Sequence, residues 1–111
     1  ESNPVSLDRM YDQAVSNGQE HMDDPLAWRE VAMIELIRGR YAESAGLFAR
    51  ARDEVEESQG RLSADLASMQ ARATLLTGAD DALDKVRALL GEAVNLAPNN
   101  LSLRLRLETL P

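Results

Sequence analysis

The chain contains no cysteine and a single histidine, His21. Disulfides and thiolate metal sites are thereby excluded, while the redox compartment stays undetermined. No serine has a cysteine or second histidine to work with, so nucleophilic catalysis has no visible constellation. His21-Met22-Asp23-Asp24 offers one imidazole and two adjacent carboxylates, short of the ligand set a metal site needs. It reads instead as a surface loop ending in a helix cap. The few glycines are dispersed near expected helix ends, which leaves no phosphate-cradling loop. Aromatics are limited to Tyr11, Trp28, Tyr41 and Phe48. Val, Ile and Thr are too sparse to suggest a sheet. The longest apolar run, Val31–Ile34, is far short of a membrane span, and no direct membrane insertion is expected.

Basic charge is also short: 12 Lys and Arg face 19 Asp and Glu, for a net charge of −7. A nucleic-acid partner is not expected, because phosphate binding needs a net basic face. Lys85 is the sole lysine, and the arginine bias points to a GC-rich bacterial genome. The sequence opens at Glu1, which fits an excised domain or processed product of a bacterial cytoplasm or periplasm. No catalytic residue, metal site or cofactor is expected.

What is abundant is alanine, leucine and arginine, all strong helix formers. At 111 residues, one all-α domain is expected. A large apolar residue is followed by alanine three positions on at Tyr11/Ala14, Phe48/Ala51 and Leu90/Ala93. The first two pairs lie 37 positions apart and the second two 42 apart. Such a period, filled by two helices, marks an α-solenoid.

The spacing predicts six helices. The first runs from about Ser6 to Asn17 after a lead-in at residues 1–5, with Leu7, Met10, Tyr11 and Ala14 apolar and Gly18 as its stop. The second spans Pro25 to Arg38 behind an Asp24 cap, with Gly39 closing it. It carries Trp28, Val31, Ala32, Ile34, Glu35 and Leu36, apolar on more than one side. The third spans Tyr41 or Ala42 to about Ser58 through Ala45, Phe48, Arg52 and Val55, with Asp53, Glu54, Glu56 and Glu57 as a solvated end that the helix dipole disfavours. Arg50 to Glu54 at i, i+4 offsets part of that penalty. The fourth spans Leu62 to Thr77, with Leu62, Leu66, Met69, Ala73 and Leu76 on one face. The fifth runs from an Asp80 cap to Leu96, with Leu83, Val86, Leu90, Ala93 and Ala97 inward. In the last segment Leu101, Leu103, Leu105 and Leu107 alternate with polar residues, which is the strand period. Leu103, Leu107 and Leu110 also fit a helix, and leucine and arginine favour it.

From Pro25 onward the residues resemble a tetratricopeptide repeat. Trp28, Gly39, Tyr41, Phe48 and Ala51 stand at that family's 34-residue spacings, and Leu83, Leu90, Ala93 and Pro98 do so in the next unit. The resemblance covers roughly three quarters of the chain. The clearest unit is 25–58 and a lengthened one is 62–98, with half units at 6–17 and 100–110. Departures are Val31, Ala32 and Glu35 in the first helix, Ser44 in place of alanine and Glu56 in place of proline. A narrower similarity, through Gly39 to Ala45 and Val86 to Pro98, is to the periplasmic repeat domains of bacterial cytochrome c maturation factors, which hold apocytochromes. The long-period repeats of large bacterial regulators look similar too.

The resemblance implies a non-catalytic scaffold that takes a peptide or helix of a protein partner on the concave face formed by first helices. Leu26, Arg29, Met33, Leu36 and Ile37 would line that groove or its rim, and Ser68, Ala71, Arg72 and Leu75 would continue it. The second helices would spend their faces on packing through Tyr41, Phe48, Leu83 and Leu90. Arg29 and Met33 occupy the places of the lysine and asparagine that clamp a terminal carboxylate in other members, so that clamp is not expected. The alternatives are a homo-oligomer docked through helix ends at Leu7 and Tyr11 or at Leu103 and Leu107, and, by the narrower similarity, an apocytochrome-holding chaperone domain of cytochrome c maturation.

Overall fold

The computed structural model describes residues 4–111, with side chains from residue 8 onward. Six helices follow one another: α1 (Pro4–Glu20), α2 (Pro25–Ile37), α3 (Tyr41–Asp53), α4 (Gly60–Leu76), α5 (Ala82–Leu96) and α6 (Leu101–Glu108). There is no strand among the described residues. Each helix packs closely on its neighbours in the chain, giving the pairs α1–α2, α2–α3, α3–α4, α4–α5 and α5–α6. Short connections make each pair antiparallel, and the arrangement is that of a short helical repeat. Of the expected lead-in at residues 1–5, Pro4 and Val5 belong to α1 instead, while residues 1–3 and the side chain of Leu7 lie outside what is described.

Gly18 does not end α1. The helix continues to Glu20, and the His21 N–H still bonds the Asn17 carbonyl at 2.9 Å. Gly18 instead lies buried against the next helix, where a Cβ would stand 3.6 Å from the Trp28 ring. A Cβ there would make an ordinary van der Waals contact, so the position neither ends the helix nor requires glycine. The α2 start follows the cap signal: the Asp24 carboxylate accepts from the Leu26 N–H at 2.9 Å, with Pro25 at the first position. Its end is a Schellman turn around Gly39, whose φ is +80°. There the Gly39 N–H bonds Leu36 at 3.1 Å and the Arg40 N–H bonds Glu35 at 2.9 Å.

Helix α3 stops at Asp53, five residues before the expected Ser58. Acids at 53, 54, 56 and 57 sit at the negative end of the macrodipole, which favours release of the last turn. Val55 remains packed on the core, so the chain turns out of the helix without losing its anchor. Arg50 does not reach toward Glu54 but lies over the Trp28 ring, 4.6 Å from its centroid.

The core is divided into three clusters, and α4 belongs to two of them. Leu66 and Ala73 pack with Ala32, Phe48 and Ala51. Ala64, Ala67 and Ala71 pack with Val86, Leu89, Leu90, Ala93 and Leu103. The α4 alanines let α5 approach closely, so this helix is buried on two sides. A smaller cluster joins Ala14 of α1 to Val31 and Ile34 of α2. Ser44 is fully buried and donates to the Ala32 carbonyl at 2.7 Å, which satisfies its hydroxyl.

Three inward assignments and one cap change: Met10 of α1 is 53% exposed. Leu83 is 39% exposed and Leu89 takes its place inside, because α5 is pressed between α4 and α6 and its buried arc turns toward α6. Leu76 also faces outward, near the end of α4. Asp80 is not the α5 cap; Asp81 holds that position without a capping bond and pairs with Lys85 at 3.1 Å. The leucine-alternating segment is helix, capped by Asn100 accepting from the Leu103 N–H at 3.2 Å. Leu103, Leu107 and Leu110 face the core, while Leu101 and Leu105 face out.

Candidate functional site

Helices α2, α4 and α6 alternate with α3 and α5 along the chain. On α2, Leu26, Met33 and Ile37 are 51%, 36% and 70% exposed at i, i+7 and i+11 spacing. They form an apolar stripe on one side of the helix. Arg29 and Leu36 lie beside that stripe, not within it. Both are half-buried; Leu36 packs on the α2–α3–α4 core, and Arg29 Nε is buried without an acceptor.

A groove runs between α4 and α6. One cavity of about 630 Å³ has Arg61, Asp65 and Ser68 on the α4 wall and Ser102 and Arg106 on the α6 wall. An adjoining cavity of about 300 Å³ has Ser68, Ala71, Arg72 and Leu75 on one wall and Arg106 and Thr109 on the other. Val86 and Leu90 of α5 line it as well. The Arg106 guanidinium donates to Ser68 Oγ at 2.7 Å, which bridges the two walls where the cavities meet. Ser68, Ala71, Arg72 and Leu75 therefore lie together, with Arg72 and Leu75 exposed. The α2 residues Leu26, Arg29, Met33 and Leu36 line neither cavity. Arg61 and Arg106 escaped the sequence reading. Arg61 shares the i, i+4, i+7, i+11 row with Asp65, Ser68 and Arg72, whereas Arg106 comes to the groove only because α6 folds back against α4.

A third cavity, of about 420 Å³, lies on the α1–α2–α3 side against Tyr11, Trp28, Glu35, Arg40 and Arg50. Glu35 dominates its chemistry. Only 2% of its side chain is exposed, yet it is charged and placed in an apolar helix. Arg38 meets one carboxylate oxygen at 3.1 Å and Arg40 meets the other at 3.3 Å. Arg38 also pairs with Asp8 at 3.6 Å and lies 4.5 Å over the Tyr11 ring. This cluster ties α1 to the α2–α3 turn. Its sequence signal was arginine at i+3 and i+5 from a glutamate inside an apolar run. On the other side, Arg52 of α3 donates to Gln70 at 3.0 Å and pairs with Glu92, joining α3, α4 and α5.

His21 lies in the exposed turn after α1. Near it, the Asp24 carboxylate is engaged in capping and the Met22 carbonyl accepts from the Trp28 indole N–H at 2.9 Å. Among the described residues, no group of three or more His, Cys, Asp or Glu is placed to hold a metal ion. No described helix is long and apolar enough to cross a membrane. At the C-terminal end, the outward leucines are Leu101 and Leu105; the expected pair, Leu103 and Leu107, is turned inward against α5. At the other end Tyr11 is half-buried beneath Arg38. No family model, curated protein or solved structure matches the chain.

Proposed function

We propose that this chain is a non-catalytic interaction module, built of tetratricopeptide-like helix pairs, that holds a segment of a partner protein on its α2–α4–α6 face. One observation carries the proposal. This face keeps both apolar and cationic side chains that the fold itself does not use: Leu26, Met33 and Ile37 on α2, and Arg61, Arg72 and Leu75 on α4. On α3 and α5, Phe48, Leu89 and Leu90 go to packing and Arg52 to an ion pair, and Leu83 and Leu96 are the large apolar side chains left exposed. An apolar stripe beside a charged groove suits a mostly apolar partner segment with some acid. The net charge of −7 favours such a segment over nucleic acid.

A second reading has its own observation. Leu101 and Leu105 form an uncovered apolar strip on the last described helix, which suits docking of another copy. Peptides selected by display against the whole chain separate the two. Arg29→Ala with Met33→Ala should weaken the selected peptide's binding and leave helicity intact. Loss of binding in Leu101→Ser with Leu105→Ser alone, or a mass that doubles with concentration in light scattering, would place the contact at α6.

A further inference from the structure

The cations of this acidic chain are unevenly spent. Arg38, Arg40, Arg52, Lys85 and Arg87 each have a carboxylate within ion-pair distance. Arg61, Arg72 and Arg106 have none among the described residues, and these three line the α4–α6 groove. Arg9, Arg29, Arg50 and Arg104 also lack an acid, but they line neither cavity. Asp65 is the one carboxylate lining the two cavities, so the groove is cationic within a molecule of net charge −7. Unpaired guanidiniums beside a partly enclosed groove are the donors that carboxylates match best.

The geometry also limits the shape of the occupant. Arg106 spans from one wall to Ser68 on the other, so the walls stand within reach of one side chain. A helix with its side chains is about 10–12 Å across and does not enter such a slot. An extended chain is narrower, and it passes when the Arg106 guanidinium turns from Ser68 to a carboxylate of the segment. Along α4, Ser68 is seven residues from Arg61 and Arg72 is four beyond it. At about 1.5 Å per residue, these steps are about 10 Å and about 6 Å. In an extended chain, at about 3.3 Å per residue, they correspond to about three and about two residues.

We infer that the α4–α6 groove reads an extended acidic protein segment, with side-chain carboxylates meeting Arg61, Arg106 and Arg72 in turn. This rests on the interaction-module reading and goes further by fixing the ligand's charge and conformation. The −7 charge of the whole repels long acidic tracts at a distance, so the segment carries a few acids in an otherwise neutral stretch.

The test uses the full chain and a fluorescein-labelled peptide, capped at both ends, with glutamates at i, i+3 and i+5 in a leucine–serine background. Its control carries glutamine at the same places. By anisotropy the glutamate peptide should bind about tenfold or more tightly than the control, and more weakly as salt rises. Arg72→Gln and Arg106→Gln should each weaken the glutamate peptide about fivefold without changing the control. Arg87→Gln, outside the groove, should change neither. Circular dichroism of each variant guards against a folding effect, and Arg72 serves if loss of the Arg106–Ser68 bond disturbs the fold. Equal binding of the two peptides, weakened by Met33→Ala with Leu75→Ala, overturns the acid reading and leaves the module reading standing. No binding of either peptide, or binding indifferent to every variant on this face, overturns both. Displacement by a single-stranded oligonucleotide at lower concentration than by the unlabelled peptide also overturns the inference, since the groove would then be reading phosphate.

Discussion

Phe48→Ala should damage this fold more than almost any other single change. Phe48 is fully buried, and its cluster draws on α2, α3 and α4. Truncating a buried phenylalanine costs about 3–5 kcal/mol, the larger figures applying where the cavity cannot collapse. Three of its four buried neighbours here are alanines, Ala32, Ala51 and Ala73, with no rotamers to swing into the hole. The cost should therefore sit near the upper end, about 4–5 kcal/mol. A domain of this size has about 5–15 kcal/mol in total, so the variant should be marginal or unfolded at 25 °C. Phe48→Leu retains most of the volume and should lose no more than about 1.5 kcal/mol, which keeps the effect measurable. Urea unfolding supplies both values. Trp28 packs against the same cluster and reports its loss by fluorescence, while circular dichroism follows the helices. Coincident transitions, with the alanine variant shifted by 3 kcal/mol or more (about the lower bound for a buried phenylalanine), fit the packing described. A loss below about 1.5 kcal/mol for Phe48→Ala would refute it, because no well-filled site yields so little.

Two further predictions concern charge and backbone. Glu35→Gln keeps the shape but removes the charge that Arg38 and Arg40 share, so it should cost about 1–3 kcal/mol by thermal or urea unfolding; Glu43→Gln, at an exposed pair, should cost less than about 0.5 kcal/mol. Equal effects from the two would contradict the buried role of Glu35. Gly39→Ala forces a side chain into a φ of +80° and should destabilise by about 1 kcal/mol, whereas Gly46→Ala, mid-helix with open space around its Cβ, should stabilise by about 0.4–1 kcal/mol.

The helices were legible because their signals are local. Asp24-Pro25 and Gly39 bracket α2 through capping chemistry that depends on neighbours in sequence. The last segment resolved toward helix because Leu103, Leu107 and Leu110 share one face that α5 covers, whereas a strand there had nothing to pair with. What stayed hidden depends on neighbours in space. Gly18 looks like a stop until the Trp28 ring is placed against it. Leu83 and Leu89 exchange roles only once α6 is docked beside α5. Glu35 sits in an apolar run, and only the α2–α3 turn brings Arg40 back to its second oxygen. For the candidate site, Arg72 and Leu75 were expected from the tetratricopeptide resemblance, which places them on a first helix. Arg106 was not, because its relevance arises from α6 folding back to face Ser68. The α2 set splits for a similar reason: Leu26 and Met33 are on the open stripe, but α4 covers part of Leu36.

The central claim is that the α2–α4–α6 face holds the partner. Amide chemical-shift mapping of the whole chain, titrated with a display-selected peptide, tests it most directly. The account predicts that shifts gather on α2 around Met33, on α4 from Arg61 to Leu75 and on α6 around Arg106, with the α3 and α5 amides little changed. Shifts confined to Leu101 and Leu105, or to the Tyr11–Trp28–Glu35 cavity, would contradict it.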